Sequence, residues 1–486
     1  MNFETYLYIG FTIYLFFVIY VGFIGSKRIK ELSDFSVAGE ALGPIPVGLA
    51  FTATFFSAAT FLGYVGYAYA WGQTALWIFV AIFGGSTFGL ILIAKGVRER
   101  NVEIKALSLP DWLGTIYNSD VLRALVSLII MIQVFYVGGQ FSAGGTLLNG
   151  LIGIDYKLAT IIIAAVTVTY VTLGGLFADV YTSIGQTMLM MLTGVIVFLS
   201  GFLFFKGGLT EVSSILAQEN PHFIALTNPN ALHMYAWSAV FGVILVEFAF
   251  SGQPQLLTKI LALKDPKDMK KMIWTWIVAA FLCMLVIFGG LYMRAIDPTI
   301  QAADYAVVEY VKRFFHPIVS TILAVSIVAA LMSTACGLLL LMTTCIANDL
   351  YLKIFVKNKL VNVAEENARK VALTMTKILP TIFGIICVWL ALNPPAFMGV
   401  MVWIGISGVA SATLAPMLFA LLWPKRVNAT AAIIGLIAGE GTYMILYMIT
   451  KIEKSVMAAG AWGVVASFIA MWIASSILSG KEEVEA

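Results

Sequence analysis

Ser333 and Thr334 stand side by side in the stretch SIVAALMSTACGLLLLMTTCIANDLY, where nearly every other residue is apolar. With Ala330 they occupy positions i, i+3 and i+4, so a helix carries all three on one face. Two hydroxyl oxygens and a backbone carbonyl make a small, hard oxygen set. Such a set suits an alkali cation, and a neutral cage suits a monovalent ion that must leave again. The missing ligands would be carbonyls freed by a bend in a neighbouring helix. The competing use of a membrane hydroxyl is a bond back to its own helix, and that is the reading for Thr343 and Thr344.

An ionisable group at membrane depth marks a functional site by default. Glu247 lies just before the SGQP of FGVILVEFAFSGQPQLLTKI. It is suited to bind substrate, carry a proton or pair with a basic neighbour. Glu440 carries less weight, because its span falls outside the repeat described below. Lys377 can snorkel toward the membrane surface. The side chains expected at a solute site are Ser57, Thr60, Tyr136, Gln140, Glu247, Ser251 and Gln253. Their few fixed charges argue against a multiply charged solute.

Cys283, Cys336, Cys345 and Cys387 fall within or beside apolar runs at spacings that fit no metal motif, so they read as small core residues. His222, His233 and His316 lie in or beside connecting segments, which weakens a histidine-based relay. No catalytic cluster of His, Asp or Glu is visible at the membrane surface, so no enzyme is expected.

These groups need helices to position them. Of 486 residues, 60% are hydrophobic and 11% charged, with a mean hydropathy of +0.95. The chain is therefore an all-α polytopic membrane protein. Apolar runs of about 20 residues predict thirteen spans, roughly 3–25, 44–70, 73–95, 121–150, 157–175, 180–206, 235–257, 271–294, 316–347, 371–392, 398–422, 428–449 and 456–478. Basic loops follow spans one, three, seven, nine and eleven: SKRIK, KGVRERNVEIK, KILALKDPKDMKK, KIFVKNK with ARK, and PKR. Of the 29 basic residues, all but Lys157, Lys206, Arg294, Lys312, Arg313, Lys451 and Lys454 then share one side. That side is the cytoplasm by the positive-inside rule, with the N-terminus outside and the C-terminus inside. LSLPDWLGTIYNSD and QAADYAVVEYVKRFFHP read as interfacial structure, the second as an external helix.

Two spans look discontinuous. Span two carries Thr52, Thr54, Ser57 and Thr60, with Gly63 and Gly66 just after them. Span seven is interrupted by Ser251, Gly252, Gln253 and Pro254. Freed backbone groups survive in a bilayer only where they line a cavity or face protein. The breaks lie five spans apart, as in two inverted five-helix halves that bind solute and ion near the midplane. The expected divisions are 1–43 (first span and loop), 44–206 and 207–422 (the two five-helix repeats), and 423–486 (two peripheral spans and a short tail).

FTATFFSAATFLGYVG, YVTLGGLFADVYTSIGQ, SGQPQLLTKILALKDPKDMKK, AALMSTACGLLLLMTTCIANDLY and LALNPPAFMGVMVWIG together resemble the sodium:solute symporters, in order over nearly the whole chain. The resemblance implies a thirteen-span LeuT-type fold and sodium-driven uptake. It implies a sodium site made by the carbonyls of Ala53, Phe56 and Ala330 and the hydroxyls of Ser333 and Thr334. Ser183 stands where many members have an Asp used for a second sodium, which speaks against a second ion; Asp179, four residues earlier, either compensates or is a solvated loop residue. Phe55 stands where proline carriers have an Asp, which speaks against proline. ALNPPAFM looks most like pantothenate and monocarboxylate carriers.

The expected function is sodium-coupled symport of a small organic solute, foremost a carboxylate such as pantothenate or a monocarboxylate. The alternatives are a proline, other amino-acid or sugar-acid symporter, and a proton-coupled carrier using Glu247. The expected partners are sodium, the solute and the lipid of a prokaryotic plasma membrane, with no nucleic acid and a monomeric chain.

Overall fold

Inside a bilayer every backbone polar group needs an internal partner, which leaves these apolar runs little choice but helix. The computed structural model describes residues 3–393 and 398–485, with side chains of 398 and 479–485 outside the description. Residues 394–397 of the ALNPPAFM motif therefore lie outside the described residues. Helix starts carry the expected signals. Pro44, Pro254 and Pro317 open helices, where a missing N–H costs nothing. Asp155 and Asn428 cap theirs by accepting backbone N–H bonds.

Among the described residues eleven helical runs are long and apolar enough to cross a membrane, against the thirteen spans expected. The difference comes from two runs, Ala59–Ile104 and Tyr156–Phe204, of 46 and 49 residues. At 1.5 Å per residue a straight helix of either length would extend about 70 Å, over twice a bilayer core of about 30 Å. Both contain a glycine in a conformation that turns the chain. Gly72 has φ 69° and Gly175 has φ 50°. A Cβ on Gly72 would lie 2.3 Å from the Phe223 carbonyl oxygen, and one on Gly175 would lie 2.8 Å from Phe35.

Pro317–Val356 and Gly399–Leu422 form the interior, each 94% buried over its most apolar stretch, whereas Phe3–Ser26 is 22% buried. The first broken span is the helix Pro44–Phe55 followed by Ala59–Ile104; the second is Trp237–Phe250 followed by Pro254–Leu261. Leu42, just before the first, exchanges backbone hydrogen bonds with the end of the second: its N–H reaches the Ala262 carbonyl at 3.1 Å and its carbonyl accepts from Lys264 at 2.8 Å. The two broken spans are thereby held together at one end. LPDW lies in the helix Leu109–Ile116, and the other connecting segment contains the helix Ala306–Phe314.

Candidate functional site

The first break falls at Phe56, whose φ/ψ of −84°/107° ends the helix. Carbonyls of the last helical turn lose their i+4 amide partners. Two of them are met by the hydroxyl pair. Ser333 Oγ donates to the Ala53 carbonyl at 2.7 Å and to the Ala330 carbonyl at 2.9 Å. Thr334 Oγ1 donates to the Thr54 carbonyl at 3.1 Å. Ala53, Ala330, Ser333 and Thr334 therefore converge. Phe56 is the residue at which the helix stops, and the second carbonyl to meet the hydroxyls is that of Thr54. The set is neutral, buried and all oxygen, which fits a hard monovalent cation.

Beyond the break the chain restarts. Ser57 Oγ accepts from the Ala59 N–H at 3.1 Å, and Gln140 Oε1 accepts from the Ala58 N–H at 3.0 Å. Tyr136 is within hydrogen-bonding reach of Ser57. Ser57, Tyr136 and Gln140 are thus assembled at the first break, with Thr60 buried one turn on. The Gln140 amide nitrogen has no hydrogen-bond partner among the described residues.

The second break uses its polar residues differently. Ser251 Oγ bonds back to the Phe248 carbonyl at 2.8 Å. Gln253 donates to the Ile406 carbonyl at 2.8 Å and accepts from Gln133 at 3.0 Å. These two side chains hold the interruption in place. Gln133 is a participant that apolar patterning did not reveal.

Glu247 is completely buried. Ser86 Oγ donates to its Oε2 at 3.0 Å and to its backbone carbonyl at 2.7 Å, and the Tyr64 phenol lies within reach of the carboxylate. Oε1 has no hydrogen-bond partner, and no ion pair involves Glu247, among the described residues. Of its three expected uses, pairing with a base is the one the structure does not support. Phe55 packs on Phe250 with ring centroids 4.5 Å apart, three residues along the helix from Glu247. Trp403 closes the aromatic wall at 6.4 Å from both Phe250 and Tyr64.

Lys259, expected in a basic loop, is not in one, and of the two readings left open for Asp179 the solvated loop is excluded. Asp179 lies within the helix Tyr156–Phe204, and Lys259 in Pro254–Leu261; both are wholly buried and form an ion pair. Ser183, one turn past Asp179, is also buried, and its hydroxyl has no hydrogen-bond partner among the described residues. Glu440 accepts from Ser411 at 3.1 Å, and Thr344 bonds back to Leu340 at 2.9 Å. A further polar cluster anchors the helix Leu109–Ile116: Ser108 donates to Asp349 at 2.6 Å, and Asn348 donates to Asp111 at 3.2 Å and to Asp349 at 2.7 Å.

Comparison with known proteins places this geometry in context. Residues 35–439 match the model of the sodium:solute symporter family. The osmoregulated proline transporter OpuE of Bacillus subtilis (strain 168) is 26% identical, over 99% of this chain and 95% of its own. The high-affinity proline transporter PutP of the same organism is 24% identical, over 87% and 89%. A sodium-coupled sialic acid symporter, solved substrate-bound and outward-open, superposes with a TM-score of 0.78 at 18% identity, covering 98% of both chains. This last likeness establishes a shared fold.

Proposed function

The chain belongs to the sodium:solute symporter family, and from that premise we propose that it takes up a small zwitterionic amino acid, proline foremost, by sodium symport across a prokaryotic plasma membrane. Sodium is held by the carbonyls of Ala53, Phe56 and Ala330 with the hydroxyls of Ser333 and Thr334, and the Thr54 carbonyl joins the set. The observation that carries this reading is the pairing of those hydroxyls with carbonyls freed at the first break.

Glu247 supports the choice of solute. A buried carboxylate with no basic partner suits an ammonium group, while sodium suits a carboxylate. A bare monocarboxylate or pantothenate would gain nothing from Glu247, and the matched relatives described above are proline transporters. Phe55 removes a carboxylate from one side of the break, but Glu247 carries one on the helix against which Phe55 packs. Ser57, Thr60, Tyr136 and Gln140 supply hydrogen bonds to the solute, with Ser251 and Gln253 holding the second break. The inverted halves 44–206 and 207–422, with 1–43 and 423–486 at the periphery, place both breaks at equivalent positions. The basic loops face the cytoplasm.

Each ligand must raise the affinity of the other by the same factor. The test is uptake into proteoliposomes of labelled proline, pantothenate, acetate, pyruvate, lactate and a sialic acid. Each is driven by a sodium gradient or by a pH gradient, in wild type and in Ser333→Ala/Thr334→Ala. Sodium-driven proline uptake that is lost in the double variant supports the proposal. Uptake driven by pH, indifferent to sodium and abolished by Glu247→Gln, would replace it with a proton-coupled carrier.

A further inference from the structure

Lys267, Lys271, Trp274, Val278 and Phe281 follow one another at spacings of four, three, four and three. The helix Met269–Met284 and the turn that leads into it therefore carry them on one face. All five are exposed. The stripe changes character along its length. It opens with ammonium groups, passes an indole and ends on apolar side chains. Trp274, Val278 and Phe281 are 57%, 56% and 42% exposed. At 1.5 Å per residue, Phe281 stands about 15 Å along the helix axis from Lys271. Cations, then an interfacial Trp, then hydrocarbon is the order in which a membrane protein meets a lipid from headgroup to acyl chain.

At the charged end the stripe borders a cavity of about 480 Å³. Lys267, Lys270, Lys271, Trp274 and Thr275 form one wall, and Ile45, from the start of the first broken span, faces them. Three ammonium groups and no carboxylate line it. The acids of the same loop are engaged. Asp265 accepts from the Lys267 N–H at 2.9 Å, and Asp268 pairs with Lys271 at 3.2 Å. Lys267 and Lys270 form no ion pair among the described residues. Ile45 is 58% exposed, an apolar side chain beside a cationic wall. One turn further on the two helices meet tightly, since a Cβ on Gly48 would lie 2.8 Å from the Met272 carbonyl oxygen. That contact fixes the width of the cleft.

We propose that this cleft binds an anionic glycerophospholipid, with the phosphodiester against Lys267, Lys270 and Lys271 and the acyl chains along Trp274, Val278 and Phe281. Ammonium groups clustered at the end of a membrane helix attract such headgroups. Free phosphate would use the lysines alone, whereas the exposed indole and the apolar track behind it suit a lipid. The bound lipid lies against Pro44–Phe55, the helix that ends at the first break. Its place in the inner leaflet follows from the orientation proposed above for the basic loops, but the binding itself does not depend on that orientation.

The probe is dioleoylphosphatidylglycerol, added to the delipidated full chain in detergent and counted by native mass spectrometry. Dioleoylphosphatidylcholine is the zwitterionic comparison. Wild type is expected to hold its first phosphatidylglycerol about tenfold more tightly than its first phosphatidylcholine. Lys267→Gln/Lys270→Gln/Lys271→Gln should abolish that preference. So should Ile45→Glu, which leaves the lysines in place and adds an acid that a first helical turn tolerates. Lys359→Gln/Lys370→Gln/Lys425→Gln removes the same charge from other basic loops and should keep the preference. Millimolar inorganic phosphate should not compete. The proposal is overturned if wild type holds both lipids equally, if the cleft variants keep the preference, if both triple variants lose it alike, or if inorganic phosphate displaces the lipid. The assay uses neither a sodium gradient nor a solute, so its failure is separate from failure of the transport reading.

Discussion

The Ser333 hydroxyl donates to the carbonyl of Ala53 at 2.7 Å, joining residues 280 positions apart. The same hydroxyl keeps the bond to its own helix, at the Ala330 carbonyl. Back-bonding and bridging to the break, which look like rival uses of a membrane serine, coexist in one side chain because its single proton is shared between the two carbonyls, which leaves its lone pairs for a cation. Removing it takes a tie from the break and, in the proposed sodium site, a ligand from the cation. Ser333→Ala is therefore expected to raise the sodium concentration for half-maximal uptake about tenfold, equivalent to about 1.4 kcal/mol. Ser333→Thr, which keeps the oxygen, should retain most of the wild-type affinity. Initial rates at graded sodium would check this, and an alanine variant with unchanged sodium dependence would remove Ser333 from the cage.

Asp179 and Lys259 form an ion pair with both partners wholly buried. Removing one charge strands the other in the interior, at a cost of about 3–5 kcal/mol, whereas replacing both with apolar groups of similar size is often neutral. Lys259→Met alone should sharply lower the thermal stability of the detergent-solubilised protein. Asp179→Leu/Lys259→Met should recover most of the loss. Equal stability of single and double variants in a thermal size-exclusion assay would show that the pair is not a unit.

Glu247→Gln preserves a hydrogen-bonding partner for Ser86 and removes the charge. If the carboxylate receives an ammonium group, KM for proline should rise at least tenfold while uptake remains sodium-dependent. Wild-type KM in this variant would exclude the charge from solute binding.

His233 lies outside the spans, with Nδ1 2.9 Å from the Ser455 hydroxyl, and burial pushes its pKa down to about 3. An unfolded histidine titrates near 6.5. Between these values the locally opened state binds a proton that the closed state refuses, so stability falls as pH falls from about 6.5 toward 3. Hydrogen exchange across residues 228–236 should accelerate between pH 7 and pH 5, after correction for intrinsic rates. His233→Gln should flatten that dependence, and an equal acceleration in the variant would assign the effect elsewhere.

Hydropathy, charge placement and the two interruptions were enough to read an all-helical membrane carrier, because a bilayer forces apolar backbone into helices and leaves breaks only where they serve. Ala330, Ser333 and Thr334 were legible as a set because helical periodicity is local. So was Glu247, because an ionisable residue in an apolar run stands out. Of the pairings between distant segments, only that of Ala53 with the hydroxyl helix was expected, and it came from the family resemblance. The bond from Thr334 to the Thr54 carbonyl was not expected, since the axial register of Pro44–Phe55 against Pro317–Val356 is set by packing. Lys259 reads as one charge in a basic loop, and Asp179 as either a stand-in near Ser183 or a solvated loop acid, until folding buries the two against each other. The count of thirteen spans against eleven continuous runs turns on Gly72 and Gly175. Whether a glycine bends a helix or ends it is decided by what presses against it, here Phe223 and Phe35. Periodicity and composition are properties of a segment, whereas register, charge pairing and curvature arise only when segments meet.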